Sequence, residues 1–294
     1  MAKEYDLHCH TTVSDGKASL AELVEIAKIK KLKGFAVTDH DALDASKEAL
    51  YLKEKSSIDI ISGVELSAKI SGCLIDIMGY FVNPWNKELE EVCKINQDFR
   101  RGSAGANIQK INDKYHINPP ITYDEVCSKK GSVTKNDINA ALIRRGRFKE
   151  REAFETCLNK NSPEYCCVER DAVEIDKAMN AIVKSGGVVG LPHPALIACD
   201  YPRLKNEGVL GMLKKYLNSP IKIIETDYPY QKARRECNVS PYEEFWEKIA
   251  DDYGLIGVGG SDGHQESGRP ELGERTTRSS LVKKIRNLSR KEQD

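Results

Sequence analysis

No apolar run in this 294-residue chain approaches the ~20 residues that cross a bilayer as a helix, so no membrane-spanning helix is expected. Charge of one sign is not in excess either. The 45 Lys and Arg balance the 45 Asp and Glu, which removes a global pull toward nucleic acid or membrane while leaving room for a local basic site. The nine cysteines are odd in number and contain no C-x-x-C pair. A secreted disulfide framework ordinarily has an even number of cysteines and a structural zinc site paired spacings, so most of the cysteines should be reduced thiols. The adjacent Cys166 and Cys167 read as packing residues. No basic-then-apolar signal region follows the initial MAKE. With 31% charged and 40% apolar residues, these absences leave an ordinary soluble globule, expected in the cytoplasm.

Histidine is also scarce, with six in the chain, so their placement is informative. Tyr5–His10 reads as a first strand. Ser19 to Glu22 has the form of a capping box opening an amphipathic helix, whose apolar face carries Leu20, Leu23, Val24, Ile26, Ala27 and Ile29. Gly34 is the expected stop of that helix, and GFAVTDH a buried second strand. Asp44–Lys55 should be a helix, Asp59–Glu65 a third strand and Cys73–Val82 a fourth. Strand-like runs then vanish from about Pro84 to Asp171, where charged helical segments follow one another, one opened by Thr122 to Glu125 in capping-box form. Strands return at Gly187–His193, Ile221–Thr226 and Leu255–Gly259, with helices near Leu204–Leu217 and Pro241–Tyr253, the latter capped by Ser240 with Pro241 at its first position. A basic tail keeps a helical period through Leu281, Val282, Ile285 and Leu288.

Strands alternating with helices predict an α/β chain, a distorted parallel (β/α)7-type barrel with an inserted small helical domain. The expected divisions are 1–83 and 172–294 for the barrel, with 84–171 as a helical insertion capping the substrate. In a β/α barrel the C-terminal strand ends share one mouth, and here those ends are rich in metal-binding side chains. The first gives His8 and His10, two residues apart and so on one face of a strand, with Asp15 just beyond. The second gives His40, the third Glu65, and the fourth carries Asp76. The fifth ends in His193, the sixth carries Glu225, and the last leads to Asp262 and His264. Glu225 is the weakest member, since it fits a strand cap or a lysine pair equally well, and His116 in the helical stretch looks incidental. Imidazoles mixed with carboxylates, without cysteine pairs, suit catalytic Mn, Fe or Zn. The surplus of ligands implies two or three ions, a constellation suited to phosphoester hydrolysis, with amide or ring hydrolysis second.

The motifs DLHCHTTVSDG, VTDHD, GVELSA, SGGVVGLPHP and GVGGSDGH resemble, in that order, the PHP (polymerase and histidinol phosphatase) phosphoesterases. The resemblance runs to about Gly273 and is nearest to stand-alone members with a helical insertion. It implies a distorted barrel with up to three divalent ions, often Mn. His8, His10, Glu65 and Asp262 would hold one ion. Glu65 would bridge to a second, shared with His193 and position 76, and Asp15, His40 and His264 would hold a third. A hydroxide between the ions is the implied nucleophile. Two departures stand out. Asp76 replaces a histidine of many relatives, and Lys135-Asn-Asp137 stands where the branch tends to carry an Arg-Pro-His element for substrate phosphate. Asp137 reads instead as part of the helix start capped by Thr134. Lys135 keeps a positive charge without the arginine fork. Of Arg100, Arg101, Arg144, Arg145 and Arg147, Arg101 is the expected substrate contact, together with Lys135. The Gly257–Gly263 run lacks dinucleotide-loop spacing.

These residues favour a metal-dependent hydrolase of a small phosphorylated metabolite, a nucleotide or ribose phosphate, with a cyclic sugar phosphodiester as a specific alternative. A 5′-3′ exonuclease on short oligonucleotides and a non-catalytic metal-binding barrel are the competing readings.

Overall fold

The computed structural model describes residues 4–52, 55–129, 131–149, 152–160, 162–233 and 242–291. Along the chain these form β1 (Tyr5–Cys9), α1 (Leu20–Ile29), β2 (Gly34–Val37), α2 (Asp44–Leu52), β3 (Asp59–Ile70) and β4 (Cys73–Tyr80). A helical stretch follows, with α3 (Lys87–Tyr115), α4 (Tyr123–Cys127), α5 (Lys135–Arg144) and one π-helical turn at Phe154–Leu158. Then come β5 (Val173–Glu174), α6 (Ile175–Lys184), β6 (Val188–Leu191), α7 (Pro194–Asp200), α8 (Lys205–Asn218), β7 (Ile221–Asp227), α9 (Tyr230–Ala233), α10 (Tyr242–Asp252), β8 (Ile256–Gly259) and α11 (Ser279–Lys291).

The sheet runs in the order β1-β2-β3-β4-β6-β7-β8, with the short β5 beside β3. It curls into the expected distorted barrel. His10 N–H donates to the Gly263 carbonyl (3.0 Å) and Gly263 N–H to that of His8 (3.2 Å), so the chain leaving β8 meets the end of β1. One strand departs from the parallel expectation. β4 is antiparallel to both β3 and β6, because only Ser71 and Gly72 separate β3 from β4 and both have positive φ (50° and 75°). That is the backbone of a two-residue hairpin, which reverses the chain and cannot lead to a parallel neighbour.

α1 carries the reciprocal Ser19–Glu22 capping box. Its buried face is Leu20, Leu23, Val24 and Ala27, whereas Ile29 is exposed. Gly34 does not end the helix. Lys30 does, and Gly34 opens β2, where a Cβ would lie 2.1 Å from the Asp59 carbonyl and 2.5 Å from the Tyr5 ring. In the helical stretch Ala104, Ile108, Ile111, Val126, Ile138 and Leu142 form an apolar cluster separate from the barrel's own. The Thr122 hydroxyl accepts the Glu125 N–H, but the Glu125 carboxylate turns away to Arg144 and Arg145. His116 caps the end of α3 in a left-handed conformation. Val282 and Ile285 of α11 are buried against the barrel, while Ser240 and Pro241 lie outside the described residues. Among the described residues seven cysteines, Cys166 and Cys167 among them, are free thiols, and Cys199 is disulfide-bonded. Among the described residues no helix is long and apolar enough to cross a membrane.

Candidate active site

Two backbone positions that L-residues rarely adopt, at His193 (φ 29°) and Asp262 (φ 50°), lie at the mouth of the barrel. Such strain gathers at functional sites. The sequence's candidate ligands converge there into four overlapping groups, each with ligand atoms within 4.8 Å of one another: His10, Asp15, His40 and His264; His8, His10 and Asp262; His8, Glu65 and His193; and His40, Glu65 and Asp76. Glu65 is the hub. One of its oxygens lies 3.4 Å from Nε2 of both His8 and His10 and 3.1 Å from Nδ1 of His40, and the other lies 3.0 Å from Nε2 of His193. Nε2 of His10 is 3.0 Å from Asp262, and Nε2 of His264 is 3.2 Å from Asp15.

Three of these buried atoms, His40 Nδ1, Glu65 Oε2 and His264 Nε2, make no hydrogen bond despite such neighbours. Side chains this close and this buried ordinarily align on one another. These three do not, although ligand atoms of their groups lie within 4.8 Å of one another, as expected of ligands of a common ion. The tautomers agree. Nδ1 of His8 faces Glu225 (3.2 Å) and Nδ1 of His264 faces the Asp262 carbonyl (2.7 Å), which leaves each Nε2 as a lone pair toward the centre. The residues present therefore fit divalent ions. Burial lowers His40 to about 3, with Glu65 and Asp15 opposing the shift. Burial would raise Glu65, but His40 and His8 hold it well below the usual carboxylate range.

The remaining conspicuous carboxylates build the frame. Asp39 accepts from the N–H and hydroxyl of Thr11 (2.8 and 2.7 Å) and from the hydroxyl of Ser14 (2.5 Å), shaping the loop that carries Asp15. Asp41 holds Arg100 Nε (2.7 Å), Asn96 (2.7 Å) and the Ser67 N–H (2.9 Å). Glu225 is neither a strand cap nor a lysine partner, since it takes His8 on one oxygen and the His193 N–H (2.9 Å) on the other. Gly260 makes this meeting sterically possible. A Cβ there would lie 2.3 Å from Glu225 Oε1 and 2.5 Å from Cβ of His8. Tyr228, which no sequence motif marks, donates to the second oxygen of Asp262 (2.7 Å).

A cavity of about 490 Å³ opens beside the cluster, bounded by Asp15, His40 and Asp76 on one side and by Arg100, Lys135, Asn136, Tyr165 and Arg170 on the other. The two expected substrate contacts go different ways. Arg101 is absent from this wall, because its guanidinium donates to the Gly131 carbonyl (2.7 Å) and braces the helical stretch. Lys135 lines the cavity with its ammonium on the Leu158 carbonyl (2.7 Å). Arg144 and Arg145 pair with Glu125, and Arg147 lies over the Tyr115 ring. The cations beside Asp76 are instead Arg100 and Arg170. Both donate to the Ser67 hydroxyl (2.9 and 2.7 Å), which in turn donates to Asp76 (3.2 Å). Ser67 pairs directly with Asp76 across the β3–β4 hairpin, so the reversal of β4 assembles this network. Burial pushes Asp76 up to about 6, with Glu65 adding to the shift and His193, Arg170 and Arg100 opposing it. Arg170 lines the cavity, and its Nη1 is buried with no hydrogen-bond partner among the described residues.

A family model for the PHP domain matches residues 6–165. The chain is 29% identical over 197 residues to a 5′-3′ exoribonuclease of Haemophilus influenzae, covering 66% of this chain and 70% of that one. It is 24% identical over 275 residues to a phosphoribosyl 1,2-cyclic phosphate 1,2-diphosphodiesterase of Eggerthella lenta, covering 91% and 97%. A crystal structure from Bifidobacterium adolescentis, described as that of a metal-dependent phosphoesterase, superposes with a TM-score of 0.82 at 23% identity over 98% and 97% of the two chains.

Proposed function

As the chain belongs to the PHP domain family and is a phosphoric ester hydrolase, we propose that it hydrolyses a small phosphorylated metabolite, a nucleotide or ribose phosphate or a cyclic sugar phosphodiester. The observation that carries this reading is a cavity walled by Arg100, Lys135 and Arg170 beside the histidine and carboxylate cluster. Its about 490 Å³ suits a metabolite of nucleotide size.

His8, His10, Asp15, His40, Glu65, Asp76, His193, Asp262 and His264 would hold two or three divalent ions, manganese first, with iron and zinc as alternatives. Such ions polarise phosphoryl oxygens and acidify a bound water. The chain's own residues supply the rest. Arg170 offers a guanidinium edge to a second phosphate or ring substituent of the substrate. Ser67 fixes the planes of both arginines, and Asp41 secures Arg100 so that it neutralises rather than moves. The helical stretch, expected from the sequence as a substrate cap, contributes Arg100, Lys135 and Asn136 and screens the reacting centre from bulk water. The experiment is phosphate release from mononucleotides, nucleoside bisphosphates, sugar phosphates, cyclic phosphates and short oligonucleotides with added Mn²⁺. A preference for one small phosphate ester, lost as a rise in KM in Arg170→Met, supports the reading. Equal turnover of all substrates, or an unchanged KM in that variant, contradicts it.

The exonuclease reading is favoured by one finding, the match to the exoribonuclease of Haemophilus influenzae. A short oligonucleotide needs few phosphate contacts, so the neutral overall charge does not oppose it.

A further inference from the structure

We propose that Asn136 is a positioning residue. Its side-chain amide orients the Asp15 carboxylate toward His10 and His264, so that the start of α5 completes one of the metal sites. This rests on the metal reading above. Nδ2 of Asn136 lies 2.6 Å from Oδ2 of Asp15 across 121 residues of sequence, and both side chains are buried. The orientation of the amide follows from chemistry. An ionised carboxylate only accepts, so the group facing Asp15 is the NH₂. The other oxygen of Asp15, Oδ1, is then the one turned to His264 Nε2 (3.2 Å) and His10 Nδ1 (3.7 Å). One carboxylate oxygen faces the candidate ion, and the other takes the amide at 2.6 Å with Nη1 of Arg269 farther off at 4.0 Å. The acceptor half of the amide, Oδ1, is buried on the cavity wall without a partner.

The contact is built into the fold. Thr134 and Asp137 form a reciprocal capping box at the start of α5, which places Asn136 in the first helical turn. Lys129 pairs with Asp137 (2.8 Å) and donates to the Ser14 carbonyl, and the Ser132 N–H donates to that of Val13 (3.0 Å). Gly131, at φ 83°, permits the approach, since a Cβ there would lie 2.2 Å from the Val13 carbonyl oxygen. The loop bearing Asp15 is thus tied to the helix bearing Asn136 by contacts on either side of the amide. A carboxylate ligand whose outer oxygen loses its one close donor is less firmly oriented, since the Arg269 guanidinium stands 4.0 Å away, and outer partners of this kind are worth about 10–100-fold in metal affinity.

The test is Mn²⁺ binding by equilibrium dialysis with metal analysis, on the full-length chain. Wild type should bind two or three ions. Asn136→Ala, and Asn136→Leu, which keeps the side-chain volume without a donor, should weaken one class of site by about 10–100-fold and leave the others unchanged. Arg144→Ala alters the exposed far end of α5, where Arg144 meets Glu125, and should bind as wild type does. Wild-type binding in Asn136→Leu, or an equal loss in Arg144→Ala, overturns the role of Asn136 while leaving the metal reading intact. A wild-type chain that binds no Mn²⁺ overturns both.

Discussion

Nδ1 of His8 lies 3.2 Å from Oε1 of Glu225, at the bottom of the cluster and away from the side that faces Glu65. The carboxylate fixes the histidine's tautomer and orientation, and its second oxygen holds the backbone of His193. Glu225→Gln keeps the shape but gives up the charge. It should lower metal affinity by about 10–100-fold with the fold retained, which metal titration alongside circular dichroism measures. Unchanged affinity would show that Glu225 is only a packing residue.

His10 and Asp262 face the centre directly, with Nε2 and Oδ1 3.0 Å apart. His10→Ala or Asp262→Ala should reduce phosphate release by more than the about 100-fold attributed to an outer partner, without unfolding the barrel. Wild-type rates in either variant would sink the assignment of these residues as ligands.

Arg100 and Arg170 share the Ser67 hydroxyl but should respond differently. Arg100→Met leaves the buried Asp41 without its cation and should cost about 3–5 kcal/mol of stability, read by chemical denaturation. Arg170→Met removes a cation on the cavity wall whose Nη1 has no partner among the described residues. It should raise KM for the preferred substrate with a smaller change in stability. The opposite pattern would reverse the roles given to the two arginines.

Gly260 is the narrowest point between His8 and Glu225. In Gly260→Ala the added Cβ must displace one of them, so metal binding should fall at least as far as in Glu225→Gln. Normal binding would mean that the close approach has no consequence for the site.

The convergence of the candidate metal ligands was legible because histidine is scarce and its members sit at strand ends, where His8 and His10 share one face by simple alternation. The partners of the cluster were much less so. Tyr228 reaches Asp262, and Asn136 reaches Asp15, from segments far away in the chain, and no local pattern marks either contact. Arg170 carries no motif and acquires meaning only when β5 seats its segment beside β3. Arg101 and Arg100 are neighbours on one helix, and sequence position cannot say which face of that helix meets the cavity. The antiparallel β4 follows from the two-residue Ser71-Gly72 connection, too short for a parallel crossover, which the alternation of strands and helices elsewhere does not reveal.

The most direct test of the central claim is phosphate release measured on one preparation as isolated, after chelation and after Mn²⁺ is restored. Activity should disappear with the ions and return with them, tracking occupancy of the His8, His10, Glu65 and Asp262 cluster. Release that persists in the metal-stripped protein would contradict the claim.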